Sequence, residues 1–261
     1  MPPFNQSSRP GVLLVGHGTR DAEGTAATFE LAEGVQRELG PLPVETCFLE
    51  IAAPNIAQGI ARLVDRGASQ IAVLPLMLFA AAHVKHDIPA AVEQALSLHA
   101  GIAVRLLPHI GSHGAILQLS AERYRSVADE SAVPTRLLLV GRGSRDAEAI
   151  AEMHRFAQRR AELTPVVELD VCFLAMAEPK LAEGLARAAD SQAQRIVVQP
   201  HLLFPGELLA RVRSDVHASA ERFPQRQWLV PPPLGVDRSL VRAIAQLATA
   251  ETADSLACQG P

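Results

Sequence analysis

Cysteine is scarce in this chain. Its 261 residues contain three, Cys47, Cys172 and Cys258, and no CxxC pair. That excludes a disulfide framework and a cysteine-built zinc or iron–sulfur site. Cys47 and Cys172 lie in apolar runs and read as small buried core residues. Aromatic residues make up only 4% of the chain, and the formal net charge is −4. With neither a stacking surface nor a basic field, no nucleic-acid partner is expected. No apolar run approaches the roughly 20 residues that span a bilayer. The first ten residues lack the apolar core of a signal peptide. The expected location is therefore cytoplasmic, without membrane association. The remaining composition, 48% hydrophobic and 20% charged, is that of a globular protein of one large or two medium domains.

What the chain does contain is one stretch that occurs twice. Val12-Leu13-Leu14-Val15-Gly16-His17-Gly18-Thr19-Arg20-Asp21 returns 125 residues later as Leu137-Leu138-Leu139-Val140-Gly141-Arg142-Gly143-Ser144-Arg145-Asp146. Each copy begins as a short buried strand and then turns sharply at glycines. The same offset relates Cys47-Phe48-Leu49 to Cys172-Phe173-Leu174, Pro54 to Pro179, Gly59 to Gly184, Pro75 to Pro200 and Leu78-Phe79 to Leu203-Phe204. Strands are predicted at 11–16, 44–49, 71–74 and 102–107, then at 136–140, 167–174, 195–199 and 227–231. Helices are predicted at 22–39, 54–66, 83–98 and 114–129, then at 146–163, 179–190, 206–222 and 237–252. Pro54 is expected to open its helix, and Asp21 and Asp146 to cap theirs. Continuously apolar strands that alternate with helices belong to parallel sheets covered on both faces. The expected fold is α/β, with two similar halves, each a parallel sheet flanked by helices, and a cleft between them. Residues 1–10 read as a disordered leader, 11–130 as the N-terminal half that carries the site, 131–252 as a degenerate C-terminal repeat, and 253–261 as a tail.

A repeat keeps what its fold needs, so the differences between copies carry information. Three polar residues of the first copy have no counterpart: His17 becomes Arg142, Glu50 becomes Ala175 and His83 becomes Leu208. Each lies at or just beyond the carboxyl end of the first, second or third predicted strand. That edge is where open α/β sheets place their ligands, and neighbouring strands there are about 5 Å apart. Two imidazoles and a carboxylate suit Fe, Co, Ni or Zn, and they accept protons near neutral pH. A nucleotide site is disfavoured. Asp21 occupies the third-glycine position of a dinucleotide fingerprint, and no Gly-Lys-Ser/Thr follows. Arg20 and Arg145 recur in both copies and read either as anion contacts or as structural ion pairs. His109 and His113 lie near another strand end and read as cleft or surface histidines.

The string Gly16-His17-Gly18-Thr19-Arg20, the segment Phe48-Leu49-Glu50 with Pro54, and Pro75-Leu76-Met77-Leu78 followed by His83-Val84-x-x-Asp87-Ile88-Pro89 resemble the class II chelatases. More narrowly, they resemble the sirohydrochlorin chelatase family, whose members are called CbiX or SirB, over about residues 11–250. The resemblance implies insertion of a divalent metal into the anionic tetrapyrrole sirohydrochlorin. That metal would be Co²⁺ toward cobalamin or Fe²⁺ toward sirohaem, with Ni²⁺ used by related short members. It implies two α/β halves with the macrocycle in the cleft, His17 and His83 as metal and catalytic residues, and Glu50 between them. The metal is then a substrate, and no further cofactor is expected. Gly16, Gly18, Thr19 and Arg20 are expected to contact the macrocycle, as are Leu78, Phe79 and Ala82 of an apolar run that also reads as ordinary packing. Activity is expected to fall as pH drops through the ordinary histidine range, near about 6.5. Because the duplication supplies both halves, a monomer is expected. Competing readings are a non-enzymatic tetrapyrrole or metal carrier, a nucleotide-dependent enzyme and a two-domain binding protein of the periplasmic type.

Overall fold

A computed structural model describes residues 9–80, 83–129 and 133–249, with the side chains of His83 and Ser112 outside the description. The described chain divides into two compact units, 9–113 with 236–249, and 114–235.

The first unit contains β1 (Pro10–Gly16), α1 (Ala22–Leu39), β2 (Val44–Phe48), α2 (Ile56–Asp65), β3 (Gln70–Pro75), α3 (Ile88–Leu96) and β4 (Ala103–Leu106). All pairings in its sheet are parallel, in the order β2-β1-β3-β4. Val12, Leu13, Leu14 and Val15 are buried on both faces of the sheet, which is why β1 reads as an unbroken apolar run. The second unit begins with α4 (Gly114–Arg125) and continues through β5 (Thr135–Gly141), α5 (Ala147–Ala161), β6 (Glu168–Phe173), α6 (Leu181–Ala189), β7 (Arg195–Pro200), α7 (Glu207–Arg222) and β8 (Gln227–Leu229). Its parallel order is β6-β5-β7-β8. The registers repeat with the sequence. Val15 faces Cys47 and Pro75 in the first sheet, and Val140 faces Cys172 and Pro200 in the second. Both cysteines are fully buried, and burial pushes the Cys47 thiol far up and the Cys172 thiol up to about 12. They are inert core residues, as expected.

Sequence repeat and compact unit do not coincide. Helix α4 follows β4 along the chain but belongs to the second unit, while α8 (Arg238–Thr249) follows β8 but belongs to the first. Packing explains both memberships. Helix α8 lies against α1 at Gly34, where an added Cβ would come within 2.8 Å of Val241. Helix α4 is held by a buried polar network. Arg160 of α5 donates to Ser120 Oγ (3.0 Å), Thr164 Oγ1 (2.8 Å) and Gln199 Oε1 (3.3 Å), while Gln199 Nε2 donates to the Ser120 carbonyl (2.7 Å).

Local signals account for most boundaries. Asp21 accepts from the amides of Glu23 and Gly24, and Asp146 from that of Glu148, so both cap their helices as expected. Pro54 does not open α2. It lies before the cap, after a cis bond from Ala53. Asn55 starts the helix instead, accepting from the Gln58 amide while the Gln58 side chain accepts from the Asn55 amide. The helix expected at 83–98 is in fact two pieces, a π-helical turn over His83–Asp87 and then α3. Pro89 is the cause: it has no N–H for the Lys85 carbonyl, and its ring pushes that carbonyl away. Ser214 stands at the matching position of α7, which runs unbroken from Glu207 to Arg222. Among the described residues no helix is long and apolar enough to cross a membrane.

Candidate active site at the carboxyl ends of β1 and β2

The backbone brings His17 and Glu50 together. Backbone hydrogen bonds between the two segments continue past the ends of β1 and β2. The Leu49 amide donates to the Gly16 carbonyl (2.9 Å), and the Glu50 amide to the His17 carbonyl (3.1 Å). Gly18, at φ +97°, then turns the chain so tightly that an added Cβ would lie 1.8 Å from the Glu50 carbonyl oxygen. Only glycine fits both that dihedral and that approach. Thr19 closes the loop, its hydroxyl accepting from the Asp21 amide at 3.0 Å. Gly16 is buried, whereas Arg20 is exposed.

The side chains converge as well. His17 Nε2 lies 3.3 Å from Glu50 Oε1, and His17 Nδ1 lies 3.2 Å from the Gly18 carbonyl oxygen. The imidazole is about one-quarter exposed, with Nε2 itself buried, and the carboxylate is half exposed. Each ring nitrogen thus faces an oxygen acceptor. A neutral imidazole has one N–H and satisfies only one of them. Another proton, or a cation shared by Nε2 and the carboxylate, would satisfy the second contact. Two metal–ligand bonds of about 2.1 Å, at octahedral or tetrahedral angles, set their donors about 3.0–3.4 Å apart. The observed 3.3 Å fits that spacing. The pair has the chemistry to exchange a proton or to hold a divalent ion, and Nδ1 facing the Gly18 carbonyl orients the ring for both.

Strand β3 neighbours β1 on its other side. In the order β2-β1-β3 the crossover connections diverge at β1, the topological switch point of a doubly wound sheet. The backbone of His83 begins the π-helical turn after β3, a conformation common at functional sites. Its side chain lies outside the described residues, and so does Ala82 altogether. Among the described residues no three His, Cys, Asp or Glu side chains gather as a metal cluster. Leu78 and Phe79 are half-buried. Sequence reasoning missed what supports them: Gly111 packs so closely that an added Cβ would lie 1.8 Å from the Leu78 carbonyl oxygen, and its amide donates to the Met77 carbonyl (3.1 Å). The glycine in Pro108-His109-Ile110-Gly111 was the available signal. His109 in that loop is buried rather than lining a cleft or the surface.

The second unit repeats the backbone without the chemistry. Leu174 and Ala175 donate to the Gly141 and Arg142 carbonyls (3.0 and 2.9 Å). Gly143, at φ +93°, approaches the Ala175 carbonyl as closely as Gly18 approaches that of Glu50. Ser144 Oγ accepts from the Asp146 amide at 3.0 Å, as Thr19 does from Asp21. The loop therefore does not need a histidine or a glutamate to fold.

Two parallel sheets of this order, with an imidazole–carboxylate pair at the carboxyl ends of β1 and β2, define a chelatase-like α/β protein. The sequence profile of the CbiX family matches the chain twice, over residues 11–127 and again over 136–251. The chain belongs to the CbiX family. A sirohydrochlorin ferrochelatase of Priestia megaterium is 33% identical to it over 205 residues, which is 78% of this chain and 77% of the relative. A sirohydrochlorin cobaltochelatase of the same organism is 32% identical over 208 residues, 78% of this chain and 68% of the relative. SirB from Bacillus subtilis, solved with Fe³⁺, matches with a TM-score of 0.84 and 26% identity, covering 96% of this chain and 98% of that one.

Proposed function

We propose that this chain is a sirohydrochlorin chelatase that inserts Fe²⁺ or Co²⁺, working as a monomer, in sirohaem or cobalamin synthesis. The observation that carries the reading is the 3.3 Å His17–Glu50 pair, which stands on a loop whose twin folds equally well with Arg142 and Ala175. The names of the two Priestia relatives support the substrate class and leave both metals in play.

In this reading His17 Nε2, Glu50 and His83 take the hydrated ion from solvent and replace part of its water. His83 contributes from the turn after β3. As the ion enters the ring, two pyrrole N–H bonds break and two protons leave, one to His17 and the other to solvent water, so charge balances overall. His17 is the first acceptor for such a proton once its nitrogen lets go of the metal, and Glu50 stabilises the imidazolium that results. The loop residues Gly18, Thr19 and Arg20 lie along one side of the macrocycle, with backbone amides and the Arg20 guanidinium facing its carboxylates, whereas Gly16, expected there too, is buried against Phe48 and makes no such contact. Leu78, Phe79 and Ala82 are the apolar contacts of the macrocycle in this reading.

The test is the absorbance change of sirohydrochlorin with Co²⁺ or Fe²⁺ under anaerobic conditions, for the wild type beside His17→Ala. The wild type is expected to exceed the uncatalysed rate, and His17→Ala to lose at least about a hundredfold of that rate, the scale of removing a proton-transfer group. Wild-type protein that binds both substrates without accelerating insertion would overturn the enzyme in favour of a carrier.

A further inference from the structure

Three residues, Glu50-Ile51-Ala52, form a turn that the chemistry above does not explain. The Ala52 amide donates to the Glu50 carbonyl at 2.7 Å, closing a γ-turn around Ile51 at φ +69°. That form of γ-turn is rare and strained. A β-branched side chain is among the least suited to a left-handed backbone, where glycine or asparagine sits without penalty. Ile51 is nonetheless there, and its side chain is not used for packing: it is 58% exposed, three residues past a strand whose last three residues are buried.

The second unit repeats the anomaly. Ala177 donates to the Ala175 carbonyl at 2.7 Å around Met176 at φ +59°, and Met176 is 47% exposed. The unit that lost both the imidazole and the carboxylate has therefore kept a large apolar side chain at a left-handed, solvent-facing position. If only the turn mattered, a small flexible residue would serve it better in both places. The side chain itself is what has a use, and that use is independent of holding a metal.

We propose that Ile51 is a substrate-contact residue, an apolar side chain that the γ-turn holds out from the loop so that the flat face of a tetrapyrrole rests on it beside the His17–Glu50 pair. The inference rests on the chelatase reading. The Cα of Ile51 is about 3.8 Å from that of Glu50, whose amide is bonded to His17. An apolar group thus stands next to the cation-holding groups. A macrocycle with apolar faces and a central metal position calls for that combination. The strain at Ile51 fits the wider pattern in which sparsely populated backbone conformations persist at ligand clamps.

Ile51→Gly separates this role from a structural one, because glycine occupies the turn without strain and leaves the backbone in place. The expected result is a protein at least as thermally stable as wild type. It should bind Co²⁺ with unchanged affinity, and both its KM and its Kd for metal-free sirohydrochlorin should rise about tenfold, with a much smaller change in kcat. Ile51→Met, the residue of the second unit, should restore KM. A wild-type KM and Kd in Ile51→Gly would overturn the proposal. So would a loss confined to kcat, which would make Ile51 a positioning residue for Glu50. Failure of wild-type protein to bind sirohydrochlorin would overturn the chelatase reading itself, and this inference with it.

Discussion

The two units share a sheet order, a strand register and the loops after their first strands, yet they differ in where they place polarity. In the first unit the strand ends carry His17 and Glu50, while the seam between the outer helix and the sheet is apolar. The buried faces of α4 and α8 match at an offset of 124 residues. Ser120, Arg160, Thr164 and Gln199 of the second unit then correspond to Ile244, Val35, Leu39 and Leu74 of the first. In the second unit the strand ends carry Arg142 and Ala175, and the seam holds a fully buried guanidinium. Burial lowers its pKa to about 10, and neutral partners accept from Nε, Nη1 and Nη2. A second buried polar group, His201, stands where the first unit has Leu76, its ring 4.2 Å from that of Phe156 between centroids. Duplication thus left one scaffold free to specialise its strand ends. The difference at the seam lies on the structural side, in which helix each sheet accepts.

Removing the seam network is expected to have the largest effect on stability. Arg160→Val gives the second unit the residue of the first. It strands Ser120, Thr164 and Gln199 and leaves unfilled space, for a loss of about 3 kcal/mol. For a chain of this size that is about 6–12 °C in Tm. Chelation per folded molecule should be unchanged, because the site is in the other unit. Completing the exchange with Gln199→Leu and Ser120→Ile should recover part of the loss, since a buried polar cluster and a well-packed apolar one are often comparable. A loss below about 1 kcal/mol in chemical denaturation would mean that the network does not hold α4.

His201 sharpens the comparison through pH. Burial lowers its pKa from the ordinary 6.5 to about 3. Between those values the unfolded chain binds a proton that the native chain does not, so stability falls as pH drops. The contribution is constant above about pH 7 and is lost progressively toward pH 3. At pH 5 the loss is about 2 kcal/mol. His201→Leu, which copies Leu76, should abolish that share of the acid sensitivity. The drop in Tm between pH 7 and pH 5 should shrink by about 4–8 °C relative to wild type. An unchanged pH dependence in the variant would show that His201 takes up its proton in the native state.

Sequence reading reached the elements and the pair because their signals are local or repeated. Apolar runs gave the strands, Asp21 and Asp146 gave the caps, and the 125-residue offset exposed His17 and Glu50 as residues that the fold does not need. It missed features that depend on distant partners. The memberships of α4 and α8 turn on contacts such as Gly34 with Val241 and Arg160 with Ser120, which no local pattern announces. The π-helical turn was half legible: Pro89 was visible, but its effect on the Lys85 carbonyl was not drawn. The γ-turn at Ile51 was invisible, because its residue type argues against its own dihedral.

The smallest expected effect tests whether the asymmetry at the strand ends is real. Arg142 occupies the position of His17, is exposed, and contributes its carbonyl, not its side chain, to the loop through the bond from Ala175. Gly143 makes the turn whatever precedes it. Arg142→Ala should therefore leave stability within about 0.5 kcal/mol of wild type, as surface changes away from special features do. It should also leave kcat/KM for metal insertion within about twofold. A tenfold fall in kcat/KM with stability intact would place the second loop in the reaction, because a structural role would register in Tm first. The second strand end would then carry a role in the chemistry and would not be an inert copy.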